Sequence, residues 1–283
     1  MTYPFGVDVS KWQASQDGTK RMDWNKAVAN GIQFAVCRAT LGNDYIDPQF
    51  AYNWSEMRRL ALLRGAYHYF TPLHPLSQIN KFVDTVKPQA GERLVLDIEY
   101  AGGVSRVGLT KAVKDALELI KSLTGRYPIG YSRAEWLNNN LNIGDLPKID
   151  WWLAQYLNPR IWPLFTPEYD TALLTMPYGV RPEQVKFHQT GEKGDGHKFG
   201  AVSYYIDTDR FIGTQAELEA YFGKSFTIYI PIVTVPEPEP EPVLFQARVI
   251  ADRLIVRDAP AGADTKERRY KGDVVDVYEV NNA

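Results

Sequence analysis

The sequence has a single cysteine among 283 residues. Cys37 stands alone in IQFAVCRAT, so no intrachain disulfide can form. A buried structural thiol is the expected role. No apolar run approaches the ~20 residues that a helix needs to cross a bilayer. The start, MTYPFGVDVSKWQ, has neither a basic n-region nor an apolar h-region. No signal peptide is therefore expected, and the chain reads as a soluble protein made in the cytoplasm. Histidine is scarce as well. His68, His74, His188 and His197 show no metal-ligand spacing such as H-E-x-x-H, so neither a metal nor a cofactor is expected. His68, inside YHYF, reads as a satisfied barrel residue. GxSxG is missing, as is any Ser-His-Asp pattern. No glycine-rich phosphate loop follows a strand. The net charge is only −2, which gives no pull toward nucleic acid or an anionic membrane. Nothing implies a protein partner.

What remains is ordinary globular composition, 45% hydrophobic and 23% charged, at a length that suits one large domain and one small one. Strand and helix patterns alternate through the first two thirds. FGVDV (5–9), IQFAVCRAT (32–40), GAYHYF (65–70), RLVLDIE (93–99) and PIGYS (128–132) read as strands. Between them lie helix signals. Asp23 caps a short helix through Trp24, Ala27 and Val28. Phe50, Trp54, Met57 and Ala61 share one helix face. Ser77 is expected to cap the next helix, which Pro88 stops. Thr110 is expected to open another, with Gly125 as its C-cap. A short helix is expected near 133–140.

After residue 140 the rhythm changes. WWLAQY (151–156), VKFHQ (185–189) and YYIDT (204–208) read as strands with little helix between them. The glycine-rich GEKGDGHK (191–198) reads as a loop whose Asp195 and Lys193 are solvated or line the cleft rim. Thr214 with Glu217 forms a capping box before a last helix that Gly223 closes. Five strand–helix units followed by three strands argue for helices around a parallel sheet. Eight strands close a small barrel. Residues 1–223 therefore read as an irregular α/β barrel, with an open doubly wound sheet as the weaker alternative. Residues 224–235 are apolar and extended. PEPEPEP (236–242) favours a stiff polyproline-II spacer. Residues 243–283 read as a small all-β module with turns at 260–262 and 271–273, expected to be truncated for want of a closing strand.

Within RLVLDIE, Leu94, Leu96 and Ile98 share one face, and Val95, Asp97 and Glu99 the other. In a barrel the second face points inward and ends at the carboxyl-terminal mouth, where polar groups are usually catalytic. Two strand rises put the carboxylates ~6–7 Å apart. Like charges at that distance raise one another's pKa, most for the less solvated member. One protonated and one ionised carboxyl is what acid-assisted glycoside cleavage needs. Asp8 in FGVDV and Asp207 in YYIDT repeat the pattern. A lone strand-end acid is usually solvated; four at one mouth favour a site. Tyr67 and Tyr69 share a face at the end of the third strand, Tyr131 ends the fifth, and Trp152 and Tyr156 lie on the sixth; their rings offer stacking area for sugar faces. Core packing accounts for about half of such aromatics. Gln189 and Arg38 are weaker candidates for polar contacts to substrate.

FGVDVSKWQ, GAYHYF, LVLDIE, the IGYS strand, WWLAQY, FHQTG and YIDTDRF occur in the order found in family-25 glycoside hydrolases, the N-acetylmuramidases of phage endolysins and some lysozymes. The resemblance covers about residues 4–212. It implies a flattened (β/α)5β3 TIM-like barrel and cleavage of the β-1,4 bond from N-acetylmuramic acid to N-acetylglucosamine in peptidoglycan. It also implies that Glu99 is the general acid, that Asp97 stabilises positive charge or orients the acetamido group, and that Asp8 and Asp207 complete an acidic cleft. Asp209 competes with Asp207, because both lie on one strand face and the family often carries Asn at the later position. ADRLIVRDAPAG and YKGDVVDVYEV resemble a bacterial SH3-type wall-binding module, with Ile255 in place of the usual Asn. A chitinase-like hydrolase and a non-catalytic wall-binding or phage structural protein are the competing readings. The family context implies release to the wall through a phage-encoded membrane lesion.

Overall fold

The computed structural model describes residues 3–156 and 174–223, and the backbone of four strands between 245 and 277. The chain divides into two units, 1–227 and 228–283. The first is built on eight strands: β1 (Phe5–Val9), β2 (Phe34–Leu41), β3 (Leu63–Tyr69), β4 (Arg93–Asp97), β5 (Ile129–Ser132), β6 (Trp151–Ala154), β7 (Val185–Asp195) and β8 (Tyr205–Phe211). β1 to β7 run parallel to their neighbours. β8 pairs antiparallel with both β7 and β1, which closes the sheet. A two-residue strand at Tyr45–Ile46 adds an edge to β2. Helices follow each of the first five strands: α1 (Trp24–Ala29), α2 (Phe50–Arg59), α3 (Pro75–Val86), α4 (Arg106–Thr124) and α5 (Ala134–Asn140). A sixth, α6 (Gln215–Tyr221), follows β8.

Side-chain alternation sorts each strand into two layers. Phe5, Val7, Val9, Leu94, Leu96 and Ile98 pack in the outer layer with the helices. Phe34, Val36, Leu63, Val95, Ile129, Phe187 and Phe211 fill the barrel interior. Leu218 and Phe222, in and just after α6, pack into the same inner cluster and close its floor. Phe187 is the hub there, edge-on to Phe34 at 5.3 Å, Phe211 at 5.2 Å and Phe222 at 6.3 Å between ring centroids. Such tilted ring pairs suit the aromatic quadrupole. Gly6 faces this interior beside Phe34, where a Cβ would come within 2.5 Å of the ring. Cys37 is buried in the outer layer, and burial raises its pKa. His68 is buried with Nδ1 on Thr40 Oγ1 and Nε2 on Gln78 Oε1, both at 2.8 Å.

Helix starts differ from expectation at two places. α3 begins at Pro75 after His74, so Ser77 lies inside its first turn. Proline suits that position because its missing N–H would be unpaired there anyway. α4 begins at Arg106 with Ser105 as its cap, whose Oγ accepts from Gly108 N at 3.1 Å. Thr110 lies one turn in, and its hydroxyl donates to Arg106 O at 2.7 Å. Asp23, Gly125 and the Thr214–Glu217 box cap as the sequence predicts. Ala61 falls past the end of α2, in the left-handed region at φ 53°. The larger difference is in GEKGDGHK. β7 continues through Asp195 and pairs with β8 in a long hairpin. Two irregularities, at Gln189/Gly191 and Gly191/Gly194, absorb the extra residues. Bulges of this kind let a glycine-rich stretch stay paired.

In the second unit, Phe245–Arg248 pairs antiparallel with Val274–Val277, and Arg253–Arg257 with Asp264–Tyr270. The PEPEPEP spacer and the turns at 260–262 and 271–273 lie outside the described residues.

Candidate active site

The parallel strands deliver their carboxyl-terminal ends to one mouth. Asp8 is the fourth residue of β1, and Asp97 the last of β4. Glu99 lies two residues past β4 but is not on a free loop. Ile98 N still donates to Tyr131 O at 2.9 Å, and Ser132 Oγ donates to Ile98 O at 2.7 Å. Asp207 arrives on the antiparallel β8, directly opposite Asp8 in the register. All four line a cavity of about 230 Å³. Tyr67, Tyr69, Tyr131, Trp152 and Tyr156 wall it, with Arg38 and Gln189. Eleven of the sequence candidates therefore meet in one place; Asp209 does not line it. Val95, on the inward face below Asp97, completes the lining.

A hydrogen-bonded chain underlies the mouth. Tyr131 OH donates to Gln189 Oε1 at 2.8 Å, and Gln189 Nε2 donates to Asp8 Oδ2 at 2.6 Å. Trp152 Nε1 donates to Asp209 Oδ1 at 3.0 Å. The other Asp209 oxygen, Oδ2, is buried with no hydrogen-bond partner, and burial and the Asp8 charge raise the Asp209 pKa. Asp207 and Asp209 differ in depth. Both face inward, but Asp207 lines the cavity while Asp209 is 0% exposed and sits one layer down, opposite Gly6.

Arg38 contributes from behind the wall. Its Nε donates to Asp47 Oδ2 at 2.8 Å, and both groups are buried. Its charge also acts on Asp97, lowering a pKa that burial raises. Two charged neighbours were not anticipated. Arg133 immediately follows β5, lies 4.6 Å from the Tyr156 ring centroid, and favours the ionised form of Glu99. Glu192, next to Gln189 on β7 beyond Thr190 and Gly191, raises Asp207. The signal for Arg133 is its place one residue past a strand end. Glu192 was hidden by reading its segment as a loop.

Desolvation raises the pKa of every carboxyl in the cluster. Asp8 rises to about 7, with the Gln189 hydrogen bond holding it down and Glu99 pushing it up. Asp207 rises to about 8, through burial and then the charges of Asp8, Glu192 and Glu99. Burial raises Glu99, and Arg133 opposes the shift. Asp97 is pushed well above the usual range by burial, then by Glu99 and Asp8. One of its oxygens, Oδ1, has no hydrogen-bond partner. Burial thus favours the protonated form of both members of the pair, which differ in depth. Asp97 is 7% exposed, while Glu99 stands half-buried at the rim beside Arg133. Among the described residues, no cluster of histidine, cysteine or acidic side chains is arranged to hold a metal ion.

A closed eight-stranded barrel, clustered carboxyls at its carboxyl-terminal mouth and aromatic walls define a carbohydrate-cleaving hydrolase. The chain belongs to the glycosyl hydrolases family 25, whose model matches residues 7–161. Over 223 residues it is 40% identical to the protein YegX of Escherichia coli O6:H1 (strain CFT073), covering 76% of this chain and 72% of that one. Over 229 residues it is 26% identical to Lysozyme M1 of Streptomyces globisporus, covering 76% and 70%. The crystal structure of the bacterial lysozyme from Streptomyces coelicolor superposes with a TM-score of 0.65 at 25% identity, covering 78% of this chain and 97% of that chain. The chain is a glycoside hydrolase.

Proposed function

We propose that this enzyme is an N-acetylmuramidase that cleaves the β-1,4 bond between N-acetylmuramic acid and N-acetylglucosamine in bacterial peptidoglycan. One observation carries the reading. Asp8, Asp97, Glu99 and Asp207 converge with five aromatic side chains on a single cleft, in a chain of this family. Glu99 is assigned the proton delivered to the departing glycosidic oxygen. It stands at the rim, where a leaving group can reach it, and burial favours its protonated form. Asp97, deeper on the same strand face, offsets positive charge on the sugar in its ionised form, which the Arg38 charge favours. Desolvation by bound sugar strengthens both effects, because charges act farther in a dry site. Asp8 and Asp207 hold the opposite wall, and Gln189 orients Asp8. Tyr131 and Trp152 meet edge to face at 4.8 Å and give the cleft a stiff aromatic side.

The second unit is assigned a wall-binding role of the SH3 type. Its two antiparallel strand pairs suit a small β-module, as does the sequence pattern around Arg257 and Pro260. Such a pairing of hydrolase and binder fits a phage endolysin, which would reach the wall through a lesion in the host membrane. Mass spectrometry of digested peptidoglycan tests the bond assignment. New muramic acid reducing ends support it. Glucosamine reducing ends overturn it.

A further inference from the structure

The catalytic cleft, at about 230 Å³, is smaller than the ~300–1,000 Å³ common for enclosed ligand sites. A polymeric substrate must leave it over the rim. On the β1–β8 side the rim carries a cluster of exposed aromatic rings. Tyr204 is 74% exposed, Tyr205 53% and Trp12 64%. Clustered exposed apolar surface marks a binding site more often than chance.

Three observations tie these rings together and to the cleft. First, β8 runs from the mouth down to the barrel floor with Tyr205, Asp207, Asp209 and Phe211 on its inward face by strand alternation. Tyr205 is therefore the next step of the same face beyond Asp207. Second, His197, Tyr204 and Tyr205 form a stepped series, with ring centroids 5.2 and 5.9 Å apart and planes at 66° and 70°. Edge-to-face stepping leaves ring faces open rather than hiding them against one another. Third, the hairpin tip is fastened to the segment after β1, where Val202 N donates to Gln13 O at 2.9 Å. That bond ties the short segment that carries Trp12 to the hairpin. Lys11 Nζ lies 4.6 Å from the Trp12 ring centroid and adds a cation to the patch.

We infer that Trp12, Tyr204 and Tyr205 form a second carbohydrate-binding platform outside the cleft, which holds the glycan strand beyond the sugars being cleaved. The occupant follows from continuity. A strand that passes Asp207 meets Tyr205 next, and sugar faces stack on flat rings as they do on the cleft walls. Lys11 suits the lactyl carboxylates that muramic acid presents where no peptide stem is attached. The platform deepens the muramidase reading and rests on it for the identity of the glycan.

The test uses the full chain and peptide-free glycan oligomers of alternating N-acetylglucosamine and N-acetylmuramic acid, in a series of increasing length. Trp12→Ala and the double variant Tyr204→Ala/Tyr205→Ala are compared with the wild type, and circular dichroism checks their folding. The platform predicts a loss in kcat/KM that grows with oligomer length and falls on KM, reaching roughly tenfold on long strands, as expected for uncovering apolar ring area. A loss that is equal at every length overturns it, and so does no loss at all. If the wild type cleaves no glycan, the muramidase reading fails, and calorimetric titration of long strands then decides the platform by itself. Weaker binding by the double variant supports it. Equal binding, or no binding by the wild type, overturns it.

Discussion

Trp152 Nε1 donates to Asp209 Oδ1 at 3.0 Å, from the sixth strand of the barrel to the eighth, in a place no solvent reaches. The bond gives Asp209 a structural task that Asp207 lacks. Asp209 accepts from the indole with one oxygen, while the other is buried without a hydrogen-bond partner, and burial and the nearby Asp8 charge raise its pKa. An amide keeps the first contact through its oxygen and removes the charge. Asp209→Asn is therefore expected to keep stability within about 1 kcal/mol of wild type. Asp209→Leu leaves the buried indole N–H unpaired, at a cost of about 1–3 kcal/mol. Urea denaturation of both variants checks this. Equal losses would show that the charge, rather than the hydrogen bonding, is what matters there.

Glu99→Gln keeps the shape of the rim and removes the transferable proton. Clearing of purified peptidoglycan should fall by about 10²- to 10⁴-fold, the usual weight of a positioned general acid. The melting temperature should hold, since Glu99 is half-buried and its backbone is anchored through Ile98 and Ser132. Near-normal clearing by a folded variant removes Glu99 from the role.

The acidic cluster makes stability depend on pH in a stated direction. Asp8 and Asp207 have ordinary values of 3.8 and folded values of about 7 and about 8. The native state binds their protons more tightly than the unfolded chain. Stability from these groups is fully present below about pH 4 and is lost as pH rises through 7 to 8. The melting temperature should therefore fall by several degrees between pH 5 and pH 8.5. Asp8→Asn cannot ionise and should flatten the slope. A melting temperature that rises across this range, with the variant tracking wild type, would sink the account.

How much of this was legible from residues alone depends on depth as well as on parity. Alternation in RLVLDIE assigns Leu94, Leu96 and Ile98 to the helix layer and Asp97 and Glu99 to the interior, and both assignments hold. Parity says nothing about how far along the barrel axis a residue sits. It could not separate Asp207 from Asp209, nor show that Asp97 is drier than Glu99. Helix starts failed where two capping residues competed. Ser105 and Thr110 are both good caps, and only Ser105 lies at the point where the chain turns off the mouth. GEKGDGHK was misread because glycine signals a loop in sequence, while in the sheet it supplies the bulges of a paired strand. The floor formed by Leu218 and Phe222 is a long-range contact with no local signature.

Gly6 gives the last prediction. Its backbone needs no unusual φ, so the constraint is space alone. A methyl group there would lie 2.5 Å from the Phe34 ring, in a layer where Phe34 is 0% exposed and touches Phe187 edge-on. The ring cannot swing away, because Phe187 is itself hemmed in by Phe211 and Phe222. Relief must come from moving β1, and β1 carries Asp8 two residues farther on. Gly6→Ala is expected to lose about 1–3 kcal/mol of stability, the usual cost of overpacking a filled core. It should also lower activity at temperatures where the protein is still folded, because the Asp8–Gln189 bond is displaced. Gly6→Ala combined with Phe34→Leu opens room for the methyl group and should recover part of both losses. If the double variant is worse than either single change in stability and activity, the clash with Phe34 is not the reason glycine stands at this position.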